Sequence, residues 1–489
     1  MTRPTFDNPE IPRIFERQRT AFAATPYPSL AARRATLRRL RAAIRSGASQ
    51  CTAAAAADFG TRDAGETMLV DLLPSVLHID HVLRNLRRWM RPSRRHTELL
   101  FRTNRASVHY QPKGVVGIVV PWNFPYYLAL APLATALAAG NRCLIKTSEY
   151  APESSRALRA LLGEIFDEEE VTVVEGDAEC AKRFCALPFD HLIFTGSPAV
   201  GRQVMRAAAD NLTPVTLELG GKSPAMVSRS ADLAVAARRI VYGKATNAGQ
   251  ICVAPDYALV PREHVSSFVS ATCSAFQTLV GNGAQYTSMI DERGHRRILD
   301  LLDDARAQGA TVVVCAAGMP NARQIALHIV TGVTHEMRLA REEIFGPILP
   351  VIAYRTPDDA LDYIRRNERP LALYWFGRDR AERDRVLRET HAGGVTLNDW
   401  GWHALNHDLP FGGTGASGIG NYHGEEGFRE LSHAKAVFAE HRWFPVELFH
   451  PPYGRLVQRA VLRWYFGTDA ARGKRGETVS NVARDSMST

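Results

Sequence analysis

His191-Leu-Ile-Phe-Thr-Gly-Ser-Pro-Ala-Val-Gly201 is the stretch that decides the fold. A short apolar run reaches a Gly-Ser turn, and a proline stands where a helix begins. That is a buried strand turning directly into a helix. The same alternation surrounds it. Upstream, 115–120 reads as a strand, 126–139 as a helix, 142–146 as a strand, 152–165 as a helix and 171–174 as a strand followed by a short helix. Downstream come a helix from Pro198 and a short strand over 214–219. Buried strands alternating with helices build a parallel, doubly wound α/β sheet.

After Gly221 the rhythm restarts, with helices over 231–245, 262–279 and 295–308 and strands over 258–260 and 311–314. This is read as a second α/β domain running to about Gly420. No repeat of fixed period occurs. The first hundred residues are helical, over 27–46 and 79–90, with Arg84, Arg87, Arg88 and Arg91 along one face. A solvated face and a site for an acidic partner both remain open there. Residues 102–111 alternate in polarity and read as an edge strand or an arm.

The chain has 489 residues, 45% of them hydrophobic, enough for two or three domains around a large core. Its net charge of +9 is modest for that length and singles out neither nucleic acid nor a membrane; no nucleic-acid partner is expected. The seven cysteines (Cys51, Cys143, Cys180, Cys185, Cys252, Cys273, Cys315) are irregularly spaced without CxxC pairs. Neither a metal site nor a disulfide framework is expected, which fits a reducing, cytoplasmic setting. The N-terminus lacks the apolar core of a signal peptide. Gly114 to Gly140 carries no charge, but Pro121-Trp-Asn-Phe-Pro125 interrupts it, so a buried strand, a turn and a core helix explain it better than a membrane span. Asp58-Phe-Gly60 imitates a kinase tripeptide without the accompanying kinase motifs. In the tail, 455–466 alternates basic and apolar residues and ends Trp464-Tyr-Phe466. It either packs on the protein or makes weak peripheral contact with a membrane. From Gly473 the chain is polar and read as disordered.

Asn247-Ala-Gly-Gln-Ile-Cys252 carries the candidate chemistry. Alone, Cys252 reads more readily as a small buried apolar residue than as a nucleophile. Glu218, in Leu217-Glu-Leu-Gly-Gly-Lys222, lies 34 residues upstream and is either buried for a reason or satisfied by backbone. Gly196-Ser-Pro-Ala-Val-Gly201 can hold a pyrophosphate at a helix start. Lys146-Thr-Ser-Glu149 can grip ribose hydroxyls or form a salt-bridged loop. Gly413-Thr-Gly-Ala-Ser-Gly418 matches a dinucleotide fingerprint but follows no strand and is read as a decoy loop. A thiolate makes an aldehyde carbon tetrahedral so that hydride can leave, an amide and a backbone N–H can hold the oxyanion, and a carboxylate in an apolar pocket can activate water against the thioester.

Taken together, these stretches resemble the aldehyde dehydrogenase superfamily, its class 3 branch, over residues 27–433. Within it the coniferyl aldehyde dehydrogenases are most similar, through Ala57-Asp-Phe-Gly60, Leu187-Pro-Phe-Asp-His-Leu192, the run from Asn211 to Pro224, the run from Cys252 to Tyr257, Tyr422-His-Gly424 and Ser432-His433. The resemblance implies a Rossmann-type cofactor domain, an α/β catalytic domain and a small β oligomerisation arm. It implies Cys252 as nucleophile, Glu218 as base, and Asn123 with the Cys252 N–H as oxyanion hole. For NAD or NADP, with NAD favoured by the acidic Glu149, it implies Trp122, Lys146, Glu149, Gly196, Ser197, Gly201, Glu343 and Phe345, with Asn398 in support. The substrate implied is an aromatic or long apolar aldehyde and the assembly a homodimer. The expected layout is a cofactor domain over 1–220 interrupted by an arm near 98–112, a catalytic domain over 221–420, an oligomerisation or closing segment over 421–445 and a basic tail over 446–489. Thr147 and Ile251 depart from the family pattern, as does Asp399-Trp-Gly-Trp-His403, whose tryptophans stand to narrow the substrate tunnel. The rival readings are a coenzyme A-acylating enzyme, which Glu218 opposes, and a silent scaffold using its basic surface.

Overall fold

The uncharged run from Gly114 to Gly140 forms the centre of the first sheet and the helix packed on it. The computed structural model describes residues 10–316 and 318–467. Strand Val115–Val119 is wholly buried, and so is every residue of helix Tyr127–Ala139. Gly140, at φ 93°, ends that helix in the left-handed conformation that glycine adopts without a Cβ clash.

The first sheet has six strands, in the spatial order Gly418–Ile419, Val215–Leu219, His191–Gly196, Val115–Val119, Arg142–Lys146, Val171–Val174. All pairs are parallel except the short one between Gly418–Ile419 and Val215–Leu219. Chain order reverses between Val115–Val119 and His191–Gly196, and the crevice beyond the carboxyl ends of two such strands is where open α/β sheets bind ligands. Helix Glu10–Ala24, absent from the sequence reading, seals this sheet by burying Ile11, Ile14 and Phe15 in its core, worth about 1.5–3 kcal/mol each before ordering costs. The expected helix over 27–46 begins at Leu30 because the Ser29 side chain accepts the Ala32 N–H. Asp58 caps another helix, Pro152–Gly163, accepting the N–H groups of Glu153 and Ser154 at 3.0 and 2.8 Å. That is the work of the kinase-like tripeptide here.

The second sheet has seven strands, in the order Thr311–Val314, His328–Thr331, Ile348–Tyr354, Tyr257–Pro261, Pro224–Val227, Ala372–Phe376, Gly394–Leu397. Only Thr311–Val314 runs antiparallel to its neighbour. Of the four strands after residue 320, none carries a strong turn signature, and all were hidden inside a domain read only as α/β.

The chain divides into two units. The one just described comprises residues 1–91 and 109–435. The other comprises 92–108 and 436–489, and its strands belong to a three-stranded sheet in the order Ser93–Arg95, Arg105–Pro112, Ser432–Ala439. The stretch read as an edge strand is thus the central strand, because a strand more than 300 residues later in sequence pairs with its free side. Phe101 stacks on Phe449 at 5.6 Å between ring centres, with Phe444 beside it. Helix Leu456–Phe466 leaves Leu456, Trp464 and Phe466 largely exposed. The polar tail from Gly473 lies outside the described residues. Among the described residues no helix is long and apolar enough to cross a membrane.

One expectation is corrected. Cys273, on helix Val265–Val280, is disulfide-bonded to Cys315, just past strand Thr311–Val314, with a Cα–Cα distance of 4.5 Å. The partners are 42 residues apart, and the helix and strand that bring them together give no spacing signature. Cysteine usage therefore no longer argues for a reducing compartment. Among the described residues no group of three or more histidine, cysteine or carboxylate side chains is arranged for a metal ion.

Candidate active site

Helix Leu233–Ala245 breaks into a turn in which Asn247, Ala248 and Gly249 are all left-handed, with φ of 48°, 52° and 73°. Left-handed backbone costs a non-glycine residue roughly 1–2 kcal/mol, so the turn needs outside support. Asn247 Nδ2 donates to the carbonyls of Asn123 and Gln250, each at 3.2 Å. Gln250 Nε2 donates to the carbonyls of Asn247 and Ser288 at 2.9 and 3.1 Å, and its Oε1 accepts the Ile290 N–H at 3.0 Å. Cys252 emerges from this framework on the wall of two cavities.

The larger cavity, about 900 Å³, lies at the reversal of strand order in the first sheet. Its wall brings together Trp122, Asn123, Gly196, Ser197, Glu218, Cys252, Glu343 and Phe345, eight residues singled out in the sequence. Asn123 is buried, and its side-chain Nδ2 donates one hydrogen bond, to Gln250 O at 3.1 Å; a primary amide has a second N–H to offer. Glu218, on strand Val215–Leu219, is 3% exposed, and neither of its carboxyl oxygens has a hydrogen-bond partner. Burial pushes its carboxyl well above the usual range. Burial, with Glu343 and Glu218 nearby, pushes the Cys252 thiol up to about 12. The Glu343 carboxyl is raised to about 8, by burial and then by Asp256. Its seat depends on Gly220, where a Cβ would stand 2.0 Å from Glu343 Oε2. Behind it Lys222 pairs with Asp256, which accepts the Ile344 N–H at 2.8 Å, and Trp122 meets Phe345 edge-on at 5.5 Å.

Three expected residues and one supporting residue stand off this wall. Lys146 is buried and donates to the carbonyls of Thr147 and Gly176 at 2.5 and 2.8 Å, with the exposed Glu149 three residues on. Gly201 lets helix Pro198–Ala209 close onto strand Val215–Leu219, since a Cβ there would meet Leu219 Cδ2 at 2.6 Å. Asn398 accepts the Gly377 N–H at 2.8 Å. The glycine-rich decoy loop reaches the cavity through Ala416 alone among its residues.

The smaller cavity, about 150 Å³, is an apolar slot lined by Phe124, Tyr127, Ile251, Trp400, Trp402 and Phe411 beside Cys252. The one phenol on that wall is engaged elsewhere, since the Tyr127 hydroxyl is 3.1 Å from His423 Nε2. Sequence reasoning missed Tyr127 and Phe411 here, and it missed Arg62 and Glu66. Arg62 Nη1 donates to the Asn123 carbonyl at 2.8 Å, and Glu66 accepts the Asn247 N–H. Nothing local distinguishes those two from surface charges.

The larger cavity suits a dinucleotide. It has the size of a small-molecule site, a helix N-terminus opened by Ser197 and Pro198, and a buried carboxyl at Glu343. At Gly196 a side chain would collide with the Phe194 ring at 2.6 Å, so backbone alone fills that position.

Comparison with known proteins agrees with this geometry. The profile of the aldehyde dehydrogenase family matches residues 1–437. This chain belongs to that family. It is an NAD(P)-dependent aldehyde dehydrogenase, and it oxidises aldehydes. It is 47% identical over 460 residues to a probable coniferyl aldehyde dehydrogenase of Pseudomonas aeruginosa, covering 93% of this chain and 96% of the relative. With the coniferyl aldehyde dehydrogenase of a Pseudomonas species it shares 46% identity over 414 residues, 83% of this chain and 85% of that one. Among solved structures, the substrate-bound state of Staphylococcus aureus AldH superposes with a TM-score of 0.88 at 33% identity, covering 93% of the dehydrogenase and 99% of that chain. A P. syringae indole-3-acetaldehyde dehydrogenase in complex with NAD+ superposes with a TM-score of 0.82 at 25% identity, covering 89% and 90%.

Proposed function

We propose that the dehydrogenase converts an aromatic, coniferyl-type or long apolar aldehyde to its carboxylic acid through a thioester on Cys252. The observation that carries this reading is Glu218, a buried carboxyl with two unpartnered oxygens on the same wall as a cysteine. A carboxyl kept without partners in an apolar setting is costly unless a ligand or water completes it.

The aldehyde enters along the apolar slot and stacks against Trp400, Phe411 and their neighbours. Cys252 gives its proton to water, and its sulfur bonds to the carbonyl carbon. The oxygen becomes an oxyanion, held by the free N–H of the Asn123 amide and the backbone N–H of Cys252. A nicotinamide cofactor, when bound, would supply the two-electron acceptor for oxidation of the Cys252 adduct to a thioester. Glu218 then takes a proton from water, the hydroxide adds to the thioester carbon, and the C–S bond breaks to release the acid and restore the thiol. For the cofactor, Ser197 and the helix it opens would hold the pyrophosphate, Glu343 the nicotinamide ribose, and Lys146 and Glu149 the adenine ribose. Trp122 and Phe345 would flank the nicotinamide end, and Gly196 and Gly201 give the backbone its close approach. Glu149 favours NAD, because a carboxylate accepts from a free 2′-hydroxyl and repels a phosphate.

The test is NADH formation from coniferyl aldehyde and benzaldehyde, wild type against Cys252→Ala. Turnover in wild type and its loss in the variant is the expected result; no turnover of any aldehyde with either cofactor would end the proposal. We further propose a cytoplasmic homodimer that pairs through the three-stranded sheet, and the domain boundaries drawn from the sequence. Weak peripheral membrane contact is proposed for helix Leu456–Phe466, favoured by its exposed aromatic side chains among arginines.

A further inference from the structure

The helical segment that precedes both sheets reaches directly into the reaction centre. Helix Ala64–Thr67 runs into a π-turn over Met68–Leu72, in which the Leu73 N–H bonds to Met68 O, and continues as Leu73–Trp89. Single π-turns recur at functional sites because they redirect side chains that an α-helix would align elsewhere. This one carries Asp71, fully buried, whose Oδ1 accepts the Tyr127 N–H at 2.5 Å and whose Oδ2 lies 3.5 Å from Arg62. The Arg62 guanidinium is also fully buried, between the rings of Phe59 and Phe124 at 4.8 and 4.9 Å. Its Nη1 donates to the backbone carbonyl of Asn123 at 2.8 Å, which also receives Asn247 Nδ2. One turn on, the two carboxylate oxygens of Glu66 accept the backbone N–H of Asn247 and the Thr287 hydroxyl.

We propose that Arg62 and Glu66 are positioning residues of the reaction: Glu66 pins the first residue of the left-handed turn that presents Cys252, and Arg62 pins the backbone of Asn123. The proposal rests on Cys252 and Asn123 having the roles given above. Burying a guanidinium and spending a carboxylate on a backbone N–H and one hydroxyl is unnecessary for packing two helices. It makes sense where a strained turn must be over-determined. Displacing a reacting group by about 1 Å costs on the order of 10²-fold in rate. The brace acts on both halves of the oxyanion hole at once, because the side chain of Asn123 and the N–H of Cys252 are set by the two backbones it holds.

The test uses the full-length protein and two reactions: aldehyde oxidation, and hydrolysis of p-nitrophenyl acetate, which needs nucleophile and oxyanion hole but no cofactor. Glu66→Ala and Arg62→Lys are expected to lower kcat of both reactions by about 10²-fold with KM little changed. Alkylation of Cys252 by iodoacetamide should change rate in parallel. Glu66→Gln keeps an acceptor for the Asn247 N–H and is expected to restore most of the activity. Wild-type kcat in Glu66→Ala and Arg62→Lys overturns the proposal. So does a Glu66→Gln variant as slow as Glu66→Ala, which would make the charge and not the hydrogen bond the agent. If Glu66→Ala does not fold, Arg62→Lys decides alone by the same kcat and KM readout. Cys252→Ala and Asn123→Ala run alongside. Their inactivity with a wild-type-like brace variant refutes the brace only, whereas an active Cys252→Ala refutes the underlying mechanism.

Discussion

Glu218→Gln tests the mechanism at its most exposed joint. The substitution keeps the shape of the side chain and removes its capacity to take a proton from water. General-base catalysis contributes about 10²- to 10⁴-fold, or roughly 3–5 kcal/mol of barrier. The upper part of that range applies, because no hydrogen bond tempers the basicity of either Glu218 oxygen. Only the second half-reaction uses the base, so a stopped-flow record of NADH should show a burst equal to the number of sites, followed by a slow steady state. Mass spectrometry of the trapped protein should find the acyl group on the Cys252 peptide. Stability moves the other way. A carboxyl raised above its unfolded value of 4.5 binds its proton more tightly in the native than in the unfolded state, so wild-type stability falls as pH rises from that value through the folded pKa. Glu218→Gln lacks that penalty, and its melting temperature should exceed wild type by a margin that widens with pH. A steady-state rate like wild type refutes the base assignment. Loss of the burst together with the rate would move Glu218 to a step before the thioester.

Asn123→Ala should lower kcat by about 10²- to 10³-fold with KM nearly constant, because its amide acts on charge that develops only in the adduct; a pure KM effect contradicts this. Trp400→Ala should raise KM for aromatic aldehydes by roughly two- to tenfold, the worth of one aromatic contact, and leave short aliphatic aldehydes unaffected in the same assay. His78, His407 and His423 lie with ring centres 5.1–5.8 Å apart, all pushed below the usual range, chiefly by burial. Each is neutral in the folded chain and protonates near 6.5 in the unfolded one, so stability should be complete above that pH. Below it, stability should fall by about 1.4 kcal/mol per histidine per pH unit, and a melting temperature flat from pH 7 to 5 rules this out. Deleting residues after Phe449 should reduce partitioning onto anionic lipid vesicles, and unchanged partitioning removes the membrane proposal.

The first sheet was legible because its strands are buried on both faces and its turns carry glycine or proline. Its five parallel strands appear within two residues of their expected ends, while the two-residue antiparallel strand Gly418–Ile419 was not expected. Of the second sheet only Tyr257–Pro261 and Thr311–Val314 were legible, and Pro224–Val227 was missed along with every strand after Val314. Strands such as Ala372–Phe376 and Gly394–Leu397 are four or five residues long and take their place from parallel neighbours far away in sequence. Surplus charge misled less than it threatened to. Arg17 pairs with Glu168 and Glu169, Arg39 with Glu170, and Arg385 with Asp358 and Glu389. Basic residues balanced this way form a solvated, ion-paired surface, and exposed pairs of this kind contribute little stability.

The site divides along the same line. Cys252, Glu218, Asn123 and Glu343 stand in short stretches whose combined resemblance to a family singles them out, since read locally Cys252 and Glu218 each also fit an ordinary buried role. Arg62 and Glu66 stand in Thr61-Arg-Asp-Ala-Gly-Glu66, a run with the composition of any exposed helix start. What makes them matter is a backbone carbonyl 61 residues away and a backbone N–H 181 residues away. No spacing rule reaches that far, because the contact is to main chain, whose partner can carry any side chain. The left-handed turn before Cys252 is the one local hint: Asn247 and Ala248 cannot hold such a conformation unaided, so a support had to exist somewhere. The turn predicts that a brace exists, and only the folded chain says which residues supply it.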